Sequence, residues 1–195
     1  MRGMNKMDKE FDRFINNPKQ KEWDEQYISF CNQLASKSKC VAKQVACILV
    51  RDSNILAIGI NGTFPHAKNC NDLFFSVTND DPFGNKSDFF YETYHTHYNR
   101  KDNADISLPE NQHHEWSLIH EVHAEINALA KANKNGTCVV GATAYISYSP
   151  CFNCAKTLYT FGIKRIVYNK EYDDINNVKK LLSDFDITLE RFVKI

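Results

Sequence analysis

The sequence has no surplus of charge of either sign. Its 24 Lys and Arg are matched by 24 Asp and Glu, for a formal net charge of zero. Proteins that grip nucleic acid through its phosphates usually carry a basic excess, so this balance argues against that class and for a small substrate, although a local basic groove would be compatible with it. No apolar stretch approaches the ~18–20 residues that span a bilayer. The polar start, MRGMNKMDKEFDRF, lacks the apolar segment of a secretory signal. The expectation is a soluble cytoplasmic protein with no membrane partner. Internal repeats and low-complexity tracts are also missing. The seven cysteines cannot all pair within one chain, and a reducing compartment disfavours disulfides in any case. Seven histidines accompany them, a combination that points to metal.

The chain has 195 residues, 43% of them hydrophobic, enough for one domain with a well-buried core. We divide it into an N-terminal extension, 1–22, and a single domain, 23–195. The extension is polar, with FDRFI as a short helical turn and NNPKQ as a break. Asp24 is a candidate N-cap, and Tyr27, Ile28, Cys31, Leu34 and Ala35 follow helical spacing, which predicts a helix over 24–37. VACILV (45–50) and ILAIGI (55–60) read as a hairpin. Residues 62–112 have no sustained period, and a loop of that length in a compact domain must be tied down. Trp116, Ile119, Val122, Ile126, Leu129 and Ala130 predict a single helix from near Glu115 to Asn135-Gly136. A strand (142–148), a helix (152–161) stopped by Gly162, a strand (163–169), a helix (174–185) and a strand (187–193) follow. The order α-β-β-α-β-α-β-α-β gives an α/β fold whose late strands are parallel, with helices on both faces of the sheet.

Chemistry concentrates at His123-Ala124-Glu125, Pro150-Cys151 and Cys154. Cys151 and Cys154, three apart, share one face of a helical first turn, where free N–H groups and the helix dipole favour thiolate. One imidazole and two thiolates give zinc three protein ligands and leave the fourth tetrahedral position to a water, whose pKa the metal lowers. Glu125, two residues from the ligand His123, is assigned as proton shuttle. Alone, each piece is weak: a CxxC is often structural or redox, and a structural knuckle would recruit a fourth ligand such as His120. Together and in this order they match the zinc deaminase signature H-x-E…P-C-x-x-C.

At these residues, and in SKC (38–40), GINGTFP (59–65), NCND (69–72), HHEW (113–116), HEVHAEINALA (120–130) and SYSPCFNCAKTL (147–158), the chain resembles the cytidine/deoxycytidylate deaminase family, and within it the dCMP deaminases of the T-even phage type. The resemblance implies a three-layer α/β/α fold around a mixed five-stranded sheet. It implies hydrolysis of dCMP to dUMP and ammonia, feeding dTTP synthesis, in the host cytoplasm if the source is viral. It also implies a catalytic Zn2+ and a second, structural zinc on Cys40, Cys70, His113 and Glu121, with His114 as an alternative to His113. By the same analogy, Asn61 binds the sugar and orients the pyrimidine, and the Ser149 carbonyl and Ala124 N–H hold its amide edge. Thr63, Glu115 and Tyr148 are assigned to sugar and phosphate recognition, with Tyr148 at the pocket mouth. Trp116 is assigned to the core, as are Cys31, Cys47 and Cys138, while His66, His95 and His97 are read as solvated. The family implies a hexamer and control by dCTP and dTTP. Lys131 and Lys134 stand where the phage enzyme has an aromatic and an arginine linked to that control, so regulation is expected to be altered, and dCTP or 5-modified cytosine nucleotides stay open as substrates. Two other classes stay open as well: a deaminase editing tRNA or single-stranded nucleic acid, and a zinc-stabilised binding module without catalysis.

Overall fold

The computed structural model describes residues 18–74, 111–172 and 175–193. Helix α1 (Pro18–Ala35) opens on a proline, the residue whose fixed φ and missing N–H suit a first helical position. The expected break at NNPKQ is therefore a helix start, and residues 18–22 belong to that helix. Asp24 is not its N-cap. It lies in the second turn, on the buried stripe with Tyr27, Ile28, Cys31 and Ala35. The expected turn at FDRFI lies outside the described residues.

Strands β1 (Ala46–Arg51) and β2 (Asn54–Ile60) form the expected hairpin. Asp52 and Ser53 turn it at φ of 51° and 61°, the left-handed pair that matches the twist of the flanking strands. The short β3 (Gly62–Thr63) pairs antiparallel with β4 (Glu121–Val122). Helices α2 (Cys70–Leu73) and α3 (Asn111–His120) flank residues 75–110, which lie outside the description. The helix predicted as continuous from Glu115 is broken: α3 ends at His120, Glu121 and Val122 are extended, and α4 (Ala124–Lys134) begins after His123, its extended N-cap. Ladder pairing of Gly62 with Val122 and Thr63 with Glu121 captures the backbone that a helix would have used. Ile119, read as part of an apolar stripe, is 74% exposed.

The remainder is β5 (Thr143–Tyr148), α5 (Phe152–Thr160), β6 (Arg165–Lys170), α6 (Ile175–Leu182) and β7 (Thr188–Arg191). Gly162, at φ 82°, ends α5 as expected. The sheet order is β2-β1-β5-β6-β7, antiparallel through β5 and parallel from β5 to β7, so the expected mixed five-stranded sheet is present. Strand alternation divides the core between two faces. Cys47, Leu49, Ala144, Ile146, Ile166 and Tyr168 pack toward α4, α5 and α6. Ala46, Ile48, Val50, Tyr145 and Val167 pack toward α1. No helix among the described residues is long and apolar enough to cross a membrane.

Candidate active site

Two helix N-termini converge at one end of the sheet. His123 caps α4 in an extended conformation (φ −65°, ψ 151°), and Cys151 caps α5 likewise (φ −70°, ψ 166°). The cap position frees each side chain from the helix surface and turns it toward the other helix. The His123 Nδ1 lies 3.6 Å from the Cys151 Sγ and 3.4 Å from the Cys154 Sγ. All three ligand atoms fall within 4.8 Å of one another, spacing that one tetrahedral ion can bridge. Cys154 is buried, Cys151 half-buried and His123 exposed, so the cluster faces solvent on one side. As a thiol pair, Cys151 and Cys154 split one proton: the hydrogen bond from Cys154, helped by His123 against burial, holds the Cys151 thiol down to about 4. The same bond and burial push Cys154 up. A soft divalent cation displaces that shared proton and satisfies both sulfurs. A fourth protein ligand such as His120 is not part of this set; its ring stacks on Trp116 at 4.8 Å.

Glu125 sits in the first turn of α4, 3% exposed. Burial raises its pKa, opposed by a hydrogen bond from its own backbone N–H. A carboxyl whose pKa is raised holds a proton more readily than a solvated one, a bias that suits a group that must both take and return one. The α4 backbone comes unusually close to β2. A Cβ on Gly59 would lie 1.9 Å from the Ala124 oxygen and 2.4 Å from the Ala128 nitrogen. Asn127 Nδ2 donates to the Ile60 carbonyl at 2.8 Å and fixes the same contact. Sequence reading missed this role for Gly59, although an isolated glycine inside a strand pattern is the signal of close backbone approach.

The second cluster is the expected one in three of its members. Cys70 opens α2, and its Sγ is 3.1 Å from the His113 Nε2; the Cys40 Sγ is 4.0 Å from the same atom. All three residues are buried, and their donor atoms lie within 4.8 Å of one another. His114, by contrast, is exposed and is not part of that set. The Val41 N–H donates to the Cys70 Sγ at 3.4 Å, and Phe74 presses edge-on against His113 and Trp116. Glu121 stands outside that tight set, yet burial and the adjacent Cys40 push its carboxyl up to about 7. Its Oε1 is buried without a hydrogen-bond partner among the described residues, as a carboxylate awaiting a cation would be.

The remaining expected residues are distributed as follows. Asn61 is fully engaged with the backbone before β1: its Oδ1 accepts from the Val45 N–H at 2.8 Å and its Nδ2 donates to the Lys43 carbonyl at 2.9 Å. Ser149 is buried, with its Oγ accepting from the Tyr172 N–H at 2.8 Å. Ala124 is the first residue of α4, where helix N–H groups have no intrahelical partner. Tyr148 ends β5, half-buried against Tyr172. Thr63 lies on β3 opposite Glu121, and Glu115 is exposed on α3. Lys131 and Lys134 are exposed in the last turn of α4. Trp116 packs with Cys40, Cys70 and Phe74, as a core residue should, and Cys31 and Cys47 are buried. Cys138 is exposed, contrary to the core assignment: it lies in irregular backbone that follows the C-terminus of α4. His66 is exposed as expected, and His95 and His97 lie outside the described residues.

The model of the cytidine and deoxycytidylate deaminase zinc-binding region matches residues 21–170. The deoxycytidylate deaminases of Enterobacteria phages T4 and T2 are each 30% identical over 156 residues, covering 72% of this chain and 74% and 76% of theirs. A crystal structure of the cyanophage S-TIM5 dCMP deaminase with dCMP and dUMP superposes with a TM-score of 0.60 at 23% identity, covering 90% of this chain and 98% of that one. That likeness is one of fold; the sequence match and the His-Cys-Cys geometry are independent of it, and together they establish that this chain belongs to the cytidine and deoxycytidylate deaminase family.

Proposed function

We propose that the protein hydrolyses dCMP to dUMP and ammonia, supplying dUMP for dTTP synthesis. One observation carries the reading: buried Glu125 stands beside a three-donor cluster of His123, Cys151 and Cys154, in a chain related at 30% identity to phage deoxycytidylate deaminases. The donor set suits a catalytic Zn2+, since three protein ligands leave one tetrahedral position open. When bound, zinc supplies the Lewis acidity that makes a water nucleophilic near neutral pH. The buried Cys40, Cys70 and His113, with the unpartnered Glu121 oxygen, fit a second and structural zinc. That ion would pin both ends of the segment between Cys70 and His113.

The chain's own part is proton management and orientation. Water oxygen adds to C4 of the cytosine ring. Glu125 accepts one proton from the water and delivers it to ring N3; it then takes the remaining hydroxyl proton from the C4 adduct and gives it to the amino group as the carbonyl forms, the C4–N bond breaks and ammonia leaves. The Ala124 N–H and the Ser149 carbonyl hold the amide edge of the ring. Asn61 shapes the sugar side through the Lys43–Val45 backbone that it fixes. Exposed apolar residues including Phe161 and the Tyr159–Phe185 pair, whose rings meet at a tilt, support association between copies, in keeping with a hexamer. Exposed Lys131 and Lys134 support altered control by dCTP and dTTP. The test is a panel of cytidine, dCMP, dCTP, 5-substituted dCMP and a cytosine oligonucleotide, each with and without dCTP and dTTP. Ammonia release highest from dCMP supports the reading, and release confined to the oligonucleotide contradicts it.

A further inference from the structure

The two donor clusters share one strand. Glu121, set against the buried cluster, and His123, the imidazole of the exposed one, are separated only by Val122. Glu121 and Val122 form β4, and His123 continues it in extended backbone. Side chains two apart on extended backbone emerge on the same side, about 6–7 Å from each other. Beyond its junction with α4, this segment is held mainly through the buried cluster. The β3–β4 ladder has only two rungs, Gly62 with Val122 and Thr63 with Glu121, and so short a pair of strands is marginal by itself. On one side α3 carries the donor His113 and then Trp116, which packs on Cys40 and Cys70. His120, the residue before Glu121, stacks its ring on Trp116 and brings its Nδ1 to 2.8 Å from the Trp116 carbonyl. On the other side the Cys40 N–H donates to the Ser38 Oγ at 3.2 Å, and that hydroxyl donates at 3.1 Å to the carbonyl of Asn61, directly before β3. The chain thus runs in a ring from Cys40 through Ser38, β3 and β4 to Glu121, whose buried Oε1 has no hydrogen-bond partner among the described residues. An ion on the buried donors would close that ring.

We propose that Glu121 is a positioning residue for the catalytic centre: by closing the buried donor set it fixes the strand that aims His123 at Cys151 and Cys154, so that filling one cluster raises the metal affinity of the other. The inference rests on the deaminase reading and the second-zinc assignment above. Outer groups that orient a metal ligand are worth about ten- to a hundredfold in metal affinity. The experiment equilibrates the zinc-loaded protein in buffers of falling free Zn2+, alkylates it briefly with iodoacetamide, and locates the protected thiols by mass spectrometry. Cys151 with Cys154 and Cys40 with Cys70 are thereby read separately, and dCMP turnover is followed in parallel. In Glu121→Gln and Cys70→Ser, the free Zn2+ that half-protects Cys151 and Cys154 should rise about tenfold or more, turnover should need the same increase, and excess Zn2+ should still fill the exposed cluster. Glu121→Asp, which keeps a carboxylate, should recover part of the loss. Asp24→Ala, which breaks an ion pair outside both clusters, should lower Tm without moving the protection curve. A parent-like curve for Cys151 and Cys154 in both Glu121→Gln and Cys70→Ser would overturn the inference and leave the deaminase reading intact. An equal shift in Asp24→Ala would overturn it too, because general loss of stability would then be the cause. A parent whose Cys40 and Cys70 gain no protection at any Zn2+ level would overturn it together with the second-zinc assignment. Protection of Cys151 and Cys154 in a parent that releases no ammonia from dCMP would overturn the deaminase reading, and with it the catalytic role given to this strand.

Discussion

Replacing Asp24 by Ala should be among the most damaging single changes outside the metal clusters. The Asp24 carboxylate receives a two-pronged clasp from Arg165, Nη1 at 2.8 Å and Nη2 at 2.7 Å, together with the Tyr145 hydroxyl at 2.6 Å and Gln20 at 2.8 Å. Arg165 also reaches Glu190, at 2.6 Å from its Nη2. The side chains of Arg165 and Asp24 are only 2% and 6% exposed, while that of Glu190 is 33% exposed. The network therefore ties α1 to β6 and β7, with the Asp24–Arg165 pair at its centre out of reach of solvent. Truncating Asp24 leaves a buried guanidinium with one half-exposed partner, and breaking a buried pair from one side costs about 3–5 kcal/mol. For a chain of this size that is roughly a 10 °C fall in Tm. Substituting both partners by apolar residues of matching volume should cost far less, because no charge is stranded. The pH dependence has a definite sign. Burial raises the Asp24 pKa, but the hydrogen bonds and charge of Arg165, with Tyr145, outweigh it and hold the carboxyl below its usual value. Its contribution is then complete above the unfolded carboxylate pKa and is lost as pH falls through the lower folded value. Urea unfolding of the parent and Asp24→Ala at pH 7, repeated stepwise toward pH 3, measures both effects. A loss under about 1 kcal/mol at pH 7, or a difference that grows as pH falls, would refute the reasoning.

Three further outcomes follow from the geometry. Gly59→Ala should displace α4 from β2 and cost about 1–3 kcal/mol, with zinc affinity reduced because His123 rides on that helix; thermal melts and metal titration check it. Cys70→Ser should remove one metal equivalent and lower Tm while leaving the His123 cluster loaded, as read by metal analysis on the purified protein. Chelation of the parent should abolish activity and lower Tm, and added Zn2+ should restore both, since metal binding at such sites is coupled to folding.

The sequence made the chemistry legible because its spacing is local. Cys151 and Cys154 lie in one turn, His123 and Glu125 lie two apart, and the turn residues Asp52 and Ser53 sit between two apolar runs. What stayed hidden depends on partners distant in the chain. An Asp ahead of an amphipathic stripe looks like an N-cap, and only Arg165, 141 residues away, shows it to be a buried ion. The break at Glu121–His123 was masked because Trp116, Ile119 and Val122 continue a helical period by coincidence, while the pairing with Gly62 and Thr63 that overrides it lies some sixty residues upstream. Apolar neighbours alone place Cys138 in the core, and such a pattern does not distinguish a strand from the irregular backbone that follows α4.

The central claim is that Glu125 moves the protons while His123, Cys151 and Cys154 hold the ion. The direct measurement is dCMP turnover by Glu125→Gln, prepared with zinc and compared with the parent at equal metal content. The amide keeps the shape of the carboxylate but cannot shuttle a proton, so the variant should retain its fold and zinc and lose at least about a hundredfold in kcat. A zinc-loaded Glu125→Gln protein that releases ammonia from dCMP at the parent rate would contradict it.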